Sequence, residues 1–155
     1  QTIMRAAFKD VSAGDIMTGG GDVETVTQDT SIAELLDTML RDRHTGYPVT
    51  RNGTVVGMVT LEDAREVDDV ERDAYTVGDV MSTELHTIDA QSDAFHALAR
   101  MQGVGVGRLL VTDGRGEVVG LLSRTDVLTA FDIIKSRGPR SNEPIDASRG
   151  VPIQR

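Results

Sequence analysis

Behind Ser31 the chain settles into a helical rhythm. Ile32, Leu35, Leu36, Met39 and Leu40 fall at i, i+3, i+4, i+7 and i+8, a spacing that puts apolar side chains on one face of an α-helix. The stripe reads as core. Ser31 followed by Glu34 is the capping-box pattern of a helix start. Past the helix the pattern changes to short apolar runs. Tyr47 to Thr50 and Thr54 to Thr60 predict strands, and Asn52-Gly53 between them predicts a hairpin turn. Glu24 to Thr27 predicts another strand, Leu61 to Val67 a short helix, and Val67 to Asp73 an acidic connector, helical or turned. Upstream, Ser12 to Met17 reads as a short helix capped by Ser12. Met4 to Ser12 reads as a lead-in with a short strand or turn, and Gly19-Gly20-Gly21 as a flexible insertion.

The same order then returns. Val77 to Met81 predicts the short helix and His86 to Ile88 the strand. A helix follows Ser92 or Asp93, with Ala94, Ala97, Leu98 and Met101 inward. Arg108 to Thr112 and Glu117 to Ser123 predict a hairpin across Asp113-Gly114-Arg115-Gly116. The last helix runs from Arg124 to about Lys135. The chain aligns on itself throughout: Asp15-Ile16-Met17 with Asp79-Val80-Met81, Thr25-Val26 with Thr87-Ile88, Leu36 and Met39 with Leu98 and Met101. Tyr47-Pro48-Val49-Thr50 matches Leu109-Leu110-Val111-Thr112. The repeat is about 60 residues, longer than a solenoid unit. A unit that small has a marginal core by itself. The expected fold is therefore α/β (α+β), two β-α-β-β-α repeats packed about a pseudo-twofold axis into one module. Repeat 1 spans residues 10–68 and repeat 2 residues 74–137. Residues 138–155 have no periodicity and read as an extended tail, or as an arm that docks on a partner subunit.

Candidate chemistry sits where each hairpin meets its last helix. GMVTLED, Gly57 to Asp63, recurs as GLLSRTD, Gly120 to Asp126. Thr60 or Ser123 would be the N-cap and Asp63 or Asp126 the N3 carboxylate of a capping box. A helix N-terminus with free N–H groups and a hydroxyl suits an anion such as phosphate. A carboxylate one turn on can accept two hydrogen bonds from a diol such as ribose. Gly57 and Gly120 lack side chains where a ligand could approach the backbone. For one copy alone, plain helix capping explains the same residues. Gly103-Val104-Gly105-Val106-Gly107 does not open a helix as a dinucleotide fingerprint must, so it reads as a loop. His44, His86 and His96 lack metal-ligand spacing, and no nucleophile, base and orienting group can be paired.

Composition narrows the setting. The chain has 155 residues, 39% of them hydrophobic, with no Trp and no Cys. No disulfide framework or thiolate metal site is possible. No apolar run approaches membrane-spanning length and no signal segment is visible, so the expected location is cytoplasmic. The formal charge is −9, and Lys occurs only at Lys9 and Lys135. Such a balance disfavours nucleic acid as a partner and suits a salt-rich, halophile-like cytoplasm. Any phosphate site must then be built locally from Arg and backbone N–H groups. The last helix carries Val127, Leu128, Phe131, Ile133 and Ile134, more apolar residues than one face needs, which predicts a homodimer contact.

The repeat start DIM, the PV before the hairpin, and the glycine-apolar-x-[TS]-x-x-D stretch before each final helix together resemble a tandem pair of CBS domains, a Bateman module. The resemblance covers about Val11 to Lys135. It implies a flat disc with two clefts that bind AMP, ADP, ATP or S-adenosylmethionine as regulatory ligands, with no required cofactor. Such discs pair into dimers and regulate another protein. Asp63 and Asp126 would hold ribose hydroxyls, and Thr60 and Ser123 would contact phosphate or ribose. Thr25-Val26 and Thr87-Ile88 would line adenine slots, with Met17 and Met81 nearby. Tyr47-Pro48-Val49 and Leu109-Leu110-Val111 would form slot walls. Of the basic pair common before the PV segment, Arg108 is present and Gly107 replaces the other; the first half has Thr45-Gly46 there, and Leu110 replaces the second proline. Arg124 would compensate in part. The alternative is a dimerising scaffold with vestigial clefts.

Overall fold

The computed structural model describes residues 2–138. In chain order they form α1 (Thr2–Ala7), α2 (Ala13–Ile16), β1 (Thr18–Gly19), β2 (Val26–Thr27), α3 (Ile32–Asp42), β3 (Gly46–Arg51), β4 (Thr54–Thr60) and α4 (Leu61–Arg65). Then follow α5 (Val77–Val80), β5 (Thr87–Asp89), α6 (Ala94–Val104), β6 (Arg108–Thr112), β7 (Val118–Ser123) and α7 (Arg124–Ser136). The order is the duplicated β-α-β-β-α unit. The tail expected over residues 138–155 lies outside the described residues except for Gly138.

Each half is built on a small sheet. In the first, β2 runs parallel to β3, and β3 pairs antiparallel with β4. In the second, β5 runs parallel to β6 and β6 pairs antiparallel with β7. The first hairpin turns on Asn52 (φ 51°) and Gly53 (φ 79°), the paired positive angles that a two-residue turn needs to match strand twist. In the second, Asp113 Oδ1 accepts the N–H groups of Arg115 (2.8 Å) and Glu117 (3.0 Å).

The folded halves do not coincide with the sequence repeats. The first core gathers Ile32, Leu35, Tyr47, Val49 and Val59, and closes over Val77 from the start of the second repeat. The second gathers Ala94, Ala97, Met101, Leu109 and Leu122, and closes over Ala13 from the start of the first repeat and Phe8 from just before it. Backbone hydrogen bonds tie both exchanges symmetrically. Ala13 and Gly14 donate to Ser92 and Ala90, as Val77 and Gly78 donate to Thr30 and Gln28. The strand continuing from α2 crosses as well: β1 pairs with β7, Thr18 opposite Leu121 and Gly19 opposite Gly120. Its counterpart is a single bridge between Ser82 and Met58. Reciprocal exchange of this kind makes the pseudo-twofold relation physical, because neither core is complete without the other repeat.

Several local expectations are corrected. The lead-in begins as a helix, Thr2–Ala7, before the expected turn at residues 8–10, and it delivers Phe8 to the second core, where its ring lies 6.0 Å from that of Phe131. The Gly19-Gly20-Gly21 stretch is built into a strand pair and a 3-10 turn over Gly20–Asp22 rather than left as a loose insertion. The glycine run after α6 is part helix: α6 continues through Val104, and Gly105 caps it with φ 74°. Leu40 leaves the α3 core face and is 68% exposed. At 3.6 residues per turn it lies about 100° from the centre of the buried Ile32, Leu35 and Met39, whereas Leu36 lies about 70° away and stays half-buried.

Candidate functional site

The capping-box motif recurs at four helix starts. Asp15 Oδ2 accepts the Ser12 N–H, Asp63 Oδ2 that of Thr60, Asp79 Oδ2 that of Thr76, and Asp126 Oδ2 that of Ser123, at 2.8–3.0 Å. In return Ser123 Oγ accepts the Asp126 N–H at 3.0 Å and Thr60 Oγ1 that of Asp63 at 3.4 Å. The box alone is therefore a structural device, which is all it does at the exposed Asp15 and Asp79. Asp63 and Asp126 differ in place. Both are half-buried, and each borders a cleft made by both halves. Their Oδ2 atoms hold the helix starts, and among the described residues nothing donates to Oδ1. One carboxylate thus supplies a cap and a spare acceptor.

The first cleft, about 570 Å³, combines Met58, Thr60, Leu61, Glu62 and Asp63 with Ser82, Glu84, His86 and the stretch Gly105 to Arg108. The second, about 310 Å³, combines Leu121, Ser123, Thr125 and Asp126 with Thr18, Asp22, Glu24 and the stretch Arg43 to Tyr47. Most of these positions are repeat-related: Met58, Thr60, Glu62 and Asp63 correspond to Leu121, Ser123, Thr125 and Asp126, and His86 to Glu24. Both volumes lie in the range of about 300–1,000 Å³ found for small-molecule sites. The second cleft is braced by His44 Nε2 at 3.1 Å from Glu24 Oε2. A third recess of about 670 Å³ contains Thr25, Pro48 and Gly120 and shares Val23 with the second cleft.

Arg108 stands between the clefts and borders both. Its Nη2 donates to Thr45 Oγ1 of the other half at 2.6 Å. A Cβ on Gly46 would lie 2.6 Å from the Arg108 Cζ, so the guanidinium occupies the place of the missing side chain. Burial lowers the guanidinium pKa from its ordinary value, and the nearby Asp126 carboxylate opposes that shift. Tyr47, 1% exposed, points its hydroxyl to Asp42 Oδ2 at 3.2 Å. Burial and then the Asp42 charge push its pKa up to about 12.

The predicted site residues separate into groups. Thr60, Asp63, Ser123, Asp126, Arg108 and Tyr47 line the two clefts. Thr25 and Pro48 line the adjoining recess. Val26, Val49, Leu109 and Val111 send their side chains into the cores, and Leu110 is 1% exposed. Thr87 and Ile88 sit half-buried in β5, and Arg124 is exposed and borders neither cleft. Gly57 and Gly120 need correction. On the Cβ side of each the space is filled by protein, although Gly120 still lines the third recess: a Cβ on Gly57 would lie 2.6 Å from the Met81 sulfur and 2.8 Å from the Ser82 carbonyl oxygen. A Cβ on Gly120 would collide with the Met17 sulfur and lie 2.6 Å from the Thr18 oxygen. The glycines admit the crossing strand of the other repeat, and Met17 and Met81 are its anchors. Thr45, His86, Glu84, Ser82 and Glu24 are cleft residues that sequence reasoning passed over. Their signal was positional only, since Glu24 aligns with His86 and Thr45 with Gly107.

A module of two interlocked β-α-β-β-α repeats with two repeat-related clefts defines a known class. The CBS domain family model matches twice, at residues 13–69 and 77–133, and the chain belongs to that family as a tandem pair. CBSX2 solved in complex with AMP superposes with a TM-score of 0.68 at 27% identity, over 80% of this chain and 98% of that one. The CBS domain of a bacterial CNNM/CorC family Mg2+ transporter superposes at 0.74 and 20% identity, over 83% of this chain and 79% of that one, a likeness of fold. Among curated proteins, a zinc metalloprotease of Methanocaldococcus jannaschii is 34% identical over 128 residues, 83% of this chain. An inosine-5'-monophosphate dehydrogenase of Thermoplasma acidophilum is 29% identical over 109 residues, 70% of this chain. The chain spans only 34% of the protease and 21% of the dehydrogenase. No helix among the described residues is long and apolar enough to cross a membrane.

Proposed function

We propose that this CBS pair is a regulatory module that binds an adenosine nucleotide, AMP, ADP or ATP, or S-adenosylmethionine, in its inter-half clefts and passes the bound state to a partner protein. The observation that carries the reading is the pair of carboxylates with one oxygen spent on a cap and one unspent, each bordering a cleft. A ribose diol donates two hydrogen bonds and needs such an acceptor. Thr60 and Ser123 add hydroxyls beside it, and Arg108 supplies positive charge where phosphates would lie. The AMP complex of the related CBSX2 supports the same ligand class.

A second feature favours self-association. On α7, Leu128 is 43% and Ile133 58% exposed, which leaves apolar surface for a second copy to cover. The module would then work as a homodimer that transmits cleft occupancy to its neighbour.

Calorimetry with ATP, ADP, AMP, S-adenosylmethionine and NAD tests the function. Binding of at least one adenosine compound is expected, with a heat that is lost when Asp63 and Asp126 are both changed to Asn. Silence across the panel at millimolar ligand would leave only the dimerising scaffold.

A further inference from the structure

We propose that Arg108 is one cation shared by both clefts, so that a charged nucleotide in one cleft weakens the binding of a second in the other. The inference rests on the nucleotide reading and goes beyond it by coupling the two sites.

The sequence repeat pairs Arg108 with Gly46, because Leu109 aligns with Tyr47. Positions exchanged by a pseudo-twofold axis that also touch each other lie at that axis. Arg108 and Gly46 do touch: a Cβ on Gly46 would sit 2.7 Å from Nε and Nη1 of Arg108. A side chain at Gly46 would therefore take the guanidinium's place, and the present packing has room for one arginine there, not a symmetric pair. Thr45, which receives the Nη2 hydrogen bond, also borders both clefts.

The charges around the clefts make this single group matter. The first cleft is bordered by Glu62, Asp63, Glu84 and His86, and among the described residues Arg108 is its only arginine or lysine. The second has Arg43 and Arg108 against Asp22, Glu24 and Asp126. A phosphate in the first cleft thus depends on Arg108, and a phosphate in the second competes for it. A guanidinium fork engaged by one phosphate presents its two parallel donors to that group alone. The first nucleotide gains the contact and the second binds without it. Neutral adenosine makes no such demand, so its two sites should be independent.

Calorimetric titration of AMP and of adenosine in about 1 M KCl separates these cases. At that salt, direct repulsion between phosphates across the axis is screened within about 3 Å. In the parent protein, the ratio of second to first dissociation constant should be about tenfold or more larger for AMP than for adenosine, the scale of one charge-assisted contact. Because the clefts also differ in charge, the second AMP step should in addition be weaker, by about that factor, than AMP binding to either cleft alone, read in Asp63→Asn and in Asp126→Asn. Arg108→Gln should weaken the first AMP step by about that factor and move the second much less, which closes the gap. Arg108→Lys, which keeps the charge, should retain part of it. Equal ratios for AMP and adenosine in the parent would overturn the shared cation and leave the nucleotide reading intact. So would an Arg108→Gln variant that lowers both AMP steps alike. Absence of binding by both ligands would sink the nucleotide reading, and this inference with it. A second AMP step equal to that of the weaker lone cleft would show two independent, unequal clefts and overturn the shared cation.

Discussion

At Asp63 and Asp126 two roles fall on different atoms of one side chain. Oδ2 accepts the N-cap N–H, and Oδ1 is left over. Asparagine in place of either can keep its oxygen on the cap and turn an amide donor toward the cleft. Asp63→Asn and Asp126→Asn should each cost at most about 0.3–1 kcal/mol of apo stability, the size of the charge–dipole contribution. Each should also weaken one nucleotide site by about 10- to 150-fold, the value of hydrogen bonds to a charged acceptor. Melting temperature beside calorimetric stoichiometry reads both; early melting with unchanged affinity would reduce the residues to caps. Asp15 and Asp79 provide the comparison, since their boxes border neither cleft. Tyr47 makes a different residue-scale prediction. Its folded-state pKa of about 12 exceeds the ordinary 10.0, so the unfolded chain releases the phenolic proton first. Stability from this group is full below pH 10 and declines as pH rises from 10 to 12. Chemical denaturation at pH 9 and pH 11 should show that decline, and Tyr47→Phe should remove most of its Tyr47-dependent part.

Elements cross one another at Gly57 and Gly120, and there backbone meets backbone. A methyl group at Gly120 would press on the Thr18 carbonyl oxygen of β1 as well as on the Met17 side chain. A thioether can swing aside, but a strand carbonyl held in a pairing register cannot. Gly120→Ala and Gly57→Ala should therefore each destabilise by about 1–3 kcal/mol, as overpacking does. Gly103, in the last turns of α6, has nothing within 4 Å of an added Cβ. Gly103→Ala should instead stabilise by up to about 1 kcal/mol through helix propensity. Thermal melts of the three variants check the contrast, and three equal shifts would contradict the crossing geometry. The same motif glycine that first reads as an opening for ligand is, at this scale, a joint between repeats.

Across the whole molecule the exchange of α2 and α5 makes the two halves one folding unit. Val77 is fully buried in the core of the first half and Ala13 in that of the second. Removing either leading helix opens the opposite core, so unfolding should be one cooperative transition without a half-folded plateau. Apolar surface remains on α7 at Leu128 and Ile133. Light scattering should give a dimer mass at micromolar concentration and high salt. Leu128→Glu with Ile133→Glu should restore the monomer at little cost to the fold, because neither side chain is core. A monomer mass for the parent would show that a second copy does not cover that surface.

The sequence by itself determined the elements and their duplication. Those are properties of local pattern: the 3.6-residue stripe behind Ser31, the Asn52-Gly53 turn, and the serine, threonine and aspartate caps act within a few residues of themselves. It also determined that Thr60, Asp63, Ser123 and Asp126 stand at helix starts, and through their recurrence which family they belong to. Tertiary structure alone decided what those residues face. Only packing shows that Asp63 and Asp126 border clefts while Asp15 and Asp79, with the same local chemistry, do not. Only packing puts Val26, Val49, Leu109 and Val111 inside the cores, because the alternation of a strand names two faces without saying which one is covered. The crossing of β1 onto β7, Met17 and Met81 against the motif glycines, and Arg108 beside Gly46 all join residues more than 20 positions apart. No periodicity records such pairs; they follow from two repeats that complete each other's cores and so bring their equivalent positions together at the axis.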